Sequence, residues 1–338
     1  MFVGDTCTGD GVLHLVLELL ANAYDQHVAG RCSSIDLDIA ADGTITVEDD
    51  GPGIPVAGGR GLPPLDELLT QRVERPTVDG HRPHVHLGVG GLGFGVINAL
   101  SERLELTTVC DGREARALYS RGVAIEPIAT IPTTRPSGTR IRFRPDPQIF
   151  RFPRVPRVAL TAWLEDLAFL APKLTLRWRI GGDDVAAGGL AVRVALQACC
   201  ATDEVASHRG VFDTETGPID VEVALAWLPV QWHSFAEPVI HSFVNLERSR
   251  DHGTHVAGMI DGAVAFLGGG RRAHQVRGLV AVVSVILTDV LWGNPAKSRL
   301  DSPQARAPVA EATRLALARW AEAHPAAAAA LREHKQQR

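Results

Sequence analysis

Glu18, Asn22 and Asp25 fall at i, i+4 and i+7 in the segment GVLHLVLELLANAYDQHV (11–28), so all three sit on one side of a helix. A carboxylate, an amide and a second carboxylate there can do two jobs. The amide oxygen of Asn22 can ligate a hard cation such as Mg²⁺, and Glu18 can act as a general base toward water. The same pattern also describes the solvated face of an amphipathic helix. Further on, Asp49-Asp50-Gly51-Pro52-Gly53 follows a strand-like run. A strand-end Asp before glycines lets a ligand approach the backbone. Such a carboxylate accepts a hydrogen bond from the exocyclic amine of adenine and repels guanine, which presents an acceptor at that place. A plain Asp/Gly turn is the alternative. Gly88-Val89-Gly90-Gly91-Leu92-Gly93-Phe94-Gly95 holds five glycines in eight residues before a helix start. That suits an anion-binding, mobile lid or a merely flexible loop; the spacing is not that of a P-loop. Thr139 opens a strand and can support Asp49 through water.

These residues need elements to hold them. Val12, Leu15, Val16, Leu19, Leu20 and Ala23 predict an amphipathic helix over 11–28. SIDLDIA (34–40) and TITVE (44–48) flank Asp42-Gly43 as a hairpin. A short helix at 65–69 interrupts a Gly/Pro/Arg/His-rich mobile loop over 56–86. Strands are expected at 103–109, 115–119 and 139–143, then at 173–180, 219–227, 239–245 and 280–287. Helices are expected at 157–170 and 254–266. The tail from Pro303 reads as helical, broken at Pro325. Pro153 and Pro156 among arginines predict a domain boundary near 152.

Composition sets outer limits. The 338 residues suffice for about two domains with ordinary cores. With 45% hydrophobic and 22% charged residues the chain is neither disordered nor fibrous. A formal net charge of −5 leaves room only for local basic patches toward nucleic acid. Five cysteines without zinc-ligand spacing point to a reduced, cytoplasmic setting. The N-terminus lacks signal-peptide character, and no apolar run is long enough to span a bilayer.

In order along the chain, ExxxNxxD on a helix, DDGxG after a hairpin, a glycine lid before a helix and GT on a strand resemble the GHKL ATPase superfamily. The match is closer to the ATPase region shared by gyrase B and its topoisomerase IV counterpart. It is carried by MFVGDT (1–6), ELLANAYDQHVAG (18–30), DDGPGIP (49–55), INALS (97–101), GTRIRF (138–143), SRDHGTHVAG (249–258), GLVAVVSV (278–285) and KSRL (297–300). The resemblance implies an α+β chain: a GHKL (Bergerat-type) α/β sandwich over 1–152, a ribosomal-S5-like transducer over 153–302, and an Ala/Arg-rich helical tail over 303–338. It implies ATP and Mg²⁺ as ligands, with Glu18 as general base, Asn22 on Mg²⁺ and Asp49 on adenine. Asp25, Gly53, Ile54, Pro55 and Thr139 would line the nucleotide site. Gly90, Gly91, Leu92, Gly93, Phe94, Gly95 and Val96 would form the lid, and Lys297 would reach the γ-phosphate. Partners implied are DNA, a gyrase-A-like or cleavage-domain partner and an ATP-dependent homodimer. A stand-alone ATP-driven clamp is the alternative.

Departures from the family pattern are equally visible. Pro52 and Cys110 fall where arginines are usual at the pocket rim, which predicts weakened coumarin inhibition. The lid GGLGFG is one residue shorter than the family's and lacks its histidine, and Pro295 replaces a glutamine before Lys297, which together predict slow turnover. The N-terminal arm and the DNA-cleavage domains of the family are expected to be missing. Arg140/Arg142/Arg144, Arg151/Arg154/Arg157 and Arg271/Arg272/Arg277 are basic clusters, of which the last, after three glycines, best suits DNA; the first reads as a solvated strand face.

Overall fold

The structure, a computed structural model, describes residues 3–59, 62–71, 93–171, 173–180, 189–232, 236–269, 275–295 and 297–336. The chain forms two compact units, Met1–Ala187 and Gly188–Arg338.

In the first unit, helix α1 (Asp10–Val28) buries every apolar position of its expected stripe. The hairpin of β1 (Ser34–Ile39) and β2 (Ile45–Asp49) turns on Gly43, whose φ of +84° is one a side chain would resist. After α2 (Leu65–Thr70) and α3 (Gly93–Ala99) come β3 (Ser101–Cys110), β4 (Arg113–Ser120), β5 (Val123–Ala124), β6 (Ala129–Pro132) and β7 (Gly138–Pro145). Helix α4 (Arg157–Leu170) and strand β8 (Thr175–Ile180) complete the unit. Among the described residues the sheet runs β5-β4-β3-β7-β2-β1-β8, with β6 also on β4. Its central strands alternate along most of their length. Ile35, Leu37, Val47, Ile141, Phe143, Leu104 and Leu106 are buried, while Arg140, Arg142, Arg144 and Glu48 between them are exposed. One face therefore packs on helices and the other meets water. The Tyr24 hydroxyl of α1 donates to the Leu167 carbonyl of α4 at 2.5 Å, locking two helices of the covered face together.

The division expected near 152 lies inside this unit. Pro156 caps the start of α4, and β8 pairs parallel with β1 from Ser34↔Thr175 to Ile39↔Ile180. The prolines start a helix rather than separate two cores. Parallel pairing across such a sequence distance leaves no local signature.

The second unit holds α5 (Leu190–Ala198), β9 (Ala206–Thr214), β10 (Gly217–Trp227), β11 (Val239–Val244), β12 (Glu247–Arg248), α6 (Thr254–Phe266), β13 (Leu279–Ile286), α7 (Arg306–Ala323) and α8 (Pro325–Gln336). Its sheet order is β12-β11-β13-β10-β9, and β11 reaches its parallel neighbour β13 through α6. The apolar run of β13, interrupted only by the buried Ser284, follows from burial on both faces. Elements α5 and β9 were not expected from the sequence. The C-terminal stretch is helical and breaks before Pro325 as expected, yet it is no appendage. Val309, Ala312, Ala316 and Leu317 of α7 belong to the core formed by β10, β13 and α6. Gly258 and Gly262 make this possible: a Cβ at Gly258 would lie 2.2 Å from the Arg306 carbonyl oxygen, and one at Gly262 2.6 Å from that of Ala310.

Candidate active site

Asp49 ends β2 on the rung Asp49↔Thr139↔Thr108 across β2, β7 and β3. Residues directly opposite in antiparallel strands share a face, so these three polar side chains point toward the covered side of the sheet. Burial pushes the Asp49 carboxyl up to about 6, with Asp50 and Glu48 adding to it and the Gly51 N–H bond, donated to Oδ1 at 2.9 Å, opposing it. Asp50 has the opposite fate. Burial works against its charge, but the Ser33 hydroxyl and the N–H groups of Ser33 (2.7 Å) and Ser34 (2.8 Å) outweigh that and hold it at about 2. Asp50 thus staples the end of β2 to the start of β1. Asp49 keeps a carboxylate available to a ligand.

The turn after Asp49 is shaped by absent side chains. Gly53 has φ +72°, and a Cβ there would lie 2.0 Å from the Val109 carbonyl oxygen. A Cβ at Gly138 would lie 2.5 Å from the Asp49 carbonyl oxygen. The Ile54 N–H donates to Thr108 Oγ1 at 2.7 Å, and that hydroxyl lies 3.3 Å from the Gly138 carbonyl it donates to. Thr108 therefore clamps the Asp-Gly loop to the strand carrying Thr139. Sequence reasoning missed Thr108. Its signal was a polar residue on the buried parity of β3, after Leu104 and Leu106. Thr139 and Ile54 are buried, and Pro55 is partly so. Cys110 is buried at the end of β3, its thiol 3.5 Å from Asp111 Oδ2.

Glu18 and Asp25 are 7% and 4% exposed, which removes the solvated-face reading of α1. Asn22 gives its amide N–H to the Glu18 carbonyl at 2.8 Å, which leaves its oxygen as the end suited to a cation. The Gly93 N–H donates to Glu18 Oε1 at 3.0 Å, so the start of α3, in the middle of the stretch expected to form the lid, meets the proposed base. Gly93 takes φ +72°, and a Cβ at Gly95 would lie 2.5 Å from the Gln71 carbonyl oxygen. Phe94 and Val96 are half-buried on α3. Gly90, Gly91 and Leu92 lie outside the described residues, as do Arg271 and Arg272.

Lys297 belongs to the second unit, exposed in a turn at φ +52°. The matched segments around it are stitched together. Thr254 N–H donates to the Leu300 carbonyl (2.8 Å), Leu300 N–H to that of His252 (2.9 Å), and Thr254 Oγ1 to that of Ser302 (2.7 Å). Gly253 is required there, since a Cβ would lie 2.0 Å from the Leu300 carbonyl oxygen. The arginines of β7 sit on the wet face: Arg140 lies 3.7 Å from Glu48 and Arg144 3.4 Å from Glu102. Among the described residues no helix is long and apolar enough to cross a membrane.

Residues 8–149 match the family model described as histidine kinase-, DNA gyrase B-, and HSP90-like ATPase. The DNA gyrase B protein of Campylobacter jejuni is 30% identical over 356 residues, spanning 98% of this chain and 45% of that protein. The Mycolicibacterium smegmatis protein of the same name is 28% identical, spanning 97% of this chain and 55% of its own length. The chain thus spans about half the length of the curated relatives it matches. The crystal structure of the 43K ATPase domain of Thermus thermophilus gyrase B, in complex with an aminocoumarin, superposes with TM-score 0.81 at 27% identity, over 100% of this chain and 91% of that one. The topoisomerase IV ATP binding domain of Francisella tularensis shares the fold, with TM-score 0.75 at 23% identity over 96% of this chain and 91% of that one. Residues 8–149 match the GHKL ATPase family model and share its fold, and the chain as a whole is similar to the ATPase region of gyrase B.

Proposed function

We propose that this chain binds Mg·ATP, hydrolyses it, and serves as the ATPase module of a gyrase-B-like type II topoisomerase assembly. The observation that carries the reading is the Asp49–Thr139–Thr108 rung beside a glycine-shaped turn, with the buried carboxylate of Glu18 on α1. Asp49 would accept the adenine amine, with Gly53, Ile54, Pro55 and Thr139 around the base and Asp25 supporting the polar face of α1. Glu18 would take a proton from the water that attacks the γ-phosphorus as the bond to ADP breaks. The Gly93 N–H, already on Oε1, orients that carboxylate. Residues 90–96 are proposed as the phosphate lid, and Lys297 as the cation that reaches the γ-phosphate. Positioning and charge neutralisation of this kind supply most of the catalysis in phosphoryl transfer.

The donor set suits Mg²⁺. The Asn22 amide has its N–H side bound to its own helix, so its oxygen is the hard ligand offered to an ion that keeps several waters. Bound there, the ion would neutralise charge on the phosphates. DNA, a gyrase-A-like or cleavage-domain protein and a second copy of this chain are the partners proposed from the relatives.

Mg²⁺-dependent ATP turnover, compared between the wild type and Glu18→Ala, tests the reading. Turnover lost in Glu18→Ala with ATP binding retained is the expected result. Equal phosphate release from both proteins would overturn it.

A further inference from the structure

The Gly93 N–H that meets Glu18 is the first of α3, so whatever holds this helix sets that contact. With seven residues, α3 is well below the length of about 12–15 residues at which a helix begins to keep its shape alone in water. Its support is α2. A Cβ at Gly95 would lie 2.5 Å from the Gln71 carbonyl oxygen and 3.0 Å from the carbonyl carbon, so α3 runs directly against the backbone that ends α2. One turn further on, the Asn98 amide nitrogen donates to the Leu69 carbonyl at 2.8 Å. That carbonyl is among the last four of α2, which find no partner within their own helix. Asn98 is 0% exposed, and among the described residues its amide oxygen has no hydrogen-bond partner. A buried amide with half its capacity unused calls for a reason, and the bond made by its nitrogen supplies one. The support is itself firm. Leu65 and Leu69 of α2 are fully buried, and the Leu65 N–H donates to the Val56 carbonyl at 3.0 Å.

We infer that Asn98 is a positioning residue for ATP hydrolysis: by capping the end of α2 it fixes α3, and α3 so fixed keeps the Gly93 N–H on Glu18 Oε1. Two hydrogen bonds and one short helix join Leu69 to Glu18. Asn98 itself touches neither nucleotide nor attacking water. It acts through the orientation of the Glu18 carboxylate, where a displacement of about 1 Å is enough to cost on the order of a hundredfold in rate. The inference deepens the proposed function and rests on the role given there to Glu18.

Two variants of the full chain test it. Asn98→Leu fills the buried space with apolar atoms and removes the donor. Asn98→Asp keeps the shape and donates only while its carboxyl is protonated. In Asn98→Leu, kcat for Mg·ATP should fall roughly tenfold or more while KM for ATP stays within about twofold of the wild type. In Asn98→Asp, kcat relative to the wild type should fall as pH rises and the donor is lost. Hydrogen exchange at the Gly93 amide, measured by NMR without nucleotide, should be faster in Asn98→Leu, with the amides of β2 and β7 protected as in the wild type. Unchanged exchange at Gly93, or protection lost equally in β2 and β7, overturns the inference whether or not ATP is hydrolysed. Wild-type kcat in Asn98→Leu, or a flat pH dependence of the Asn98→Asp ratio, overturns it too. If Gly93 exchange responds to Asn98→Leu but Glu18→Ala hydrolyses ATP like the wild type, Asn98 still fixes α3 and it is the role of Glu18 that falls.

Discussion

The two faces of the first sheet use the same residue types for opposite ends. On the outer face, Glu48 lies 3.7 Å from Arg140, Arg116 2.8 Å from Glu105, and Arg177 grips Asp36 with two nitrogens. These pairs stand in water, where screening and side-chain entropy leave each worth about 0–1 kcal/mol. On the covered face, one residue away from Glu48, Asp49 is held by a single backbone N–H, and burial raises its pKa to about 6. The charged groups that are satisfied contribute little, and the carboxylate that is poorly satisfied marks the site. Destabilised groups of this kind are where proteins hold binding capacity.

Changes that remove a cradle should break this contrast most. Gly53→Ala places a methyl 2.0 Å from a carbonyl oxygen at φ +72°, and should cost about 3 kcal/mol or more and abolish ATP binding, read by chemical denaturation and nucleotide titration. Next comes Asp49→Asn, which keeps the acceptor for Gly51 and removes the charge. ATP affinity should fall at least about tenfold, while stability at pH 8 should rise by about 1–3 kcal/mol. The sign follows from the raised pKa. A carboxyl raised in the fold favours folding fully below its ordinary pKa of 3.8, and that benefit is lost as pH rises through about 6. For the same reason ATP affinity of the wild type should drop as pH falls through about 6, since only the ionised form accepts from adenine without carrying a proton of its own.

Asp50 should behave in reverse. Its lowered pKa adds stability above pH 3.8 that disappears as pH falls through about 2, so Asp50→Ala should cost about 1 kcal/mol at neutral pH, a figure discounted for its exposure. The smallest effect belongs to the outer face: Arg140→Ala should change stability by no more than about 0.5 kcal/mol and leave ATP binding alone. An Arg140→Ala effect as large as that of Asp49→Asn would erase the distinction between the faces.

Much of this was legible in the residues. Alternation located β2, β3 and β7, and the strand-end Asp49 before Gly51 and Gly53 announced the close approach of a ligand. The arginines of β7 read as a wet strand face and are one. What stayed hidden depends on distant pairing. Asp50 became a staple only because Ser33 and Ser34 lie opposite it. Thr108 matters through Ile54, far along the chain. The Pro153–Pro156 stretch looks like a linker, and nothing local tells that β8 will dock on β1. The Ala-rich composition of α7 conceals a core helix, because its small side chains fit against Gly258 and Gly262.

The central claim is that Asp49 binds the nucleotide and Glu18 works on it. Titration with Mg·ATP at pH 8, followed by phosphate release from the same samples, separates the two. The expected result is tight binding and turnover in the wild type, binding without turnover in Glu18→Ala, and binding at least about tenfold weaker in Asp49→Asn, a loss of about 1.4 kcal/mol. Wild-type affinity in Asp49→Asn, or turnover undiminished in Glu18→Ala, would contradict it.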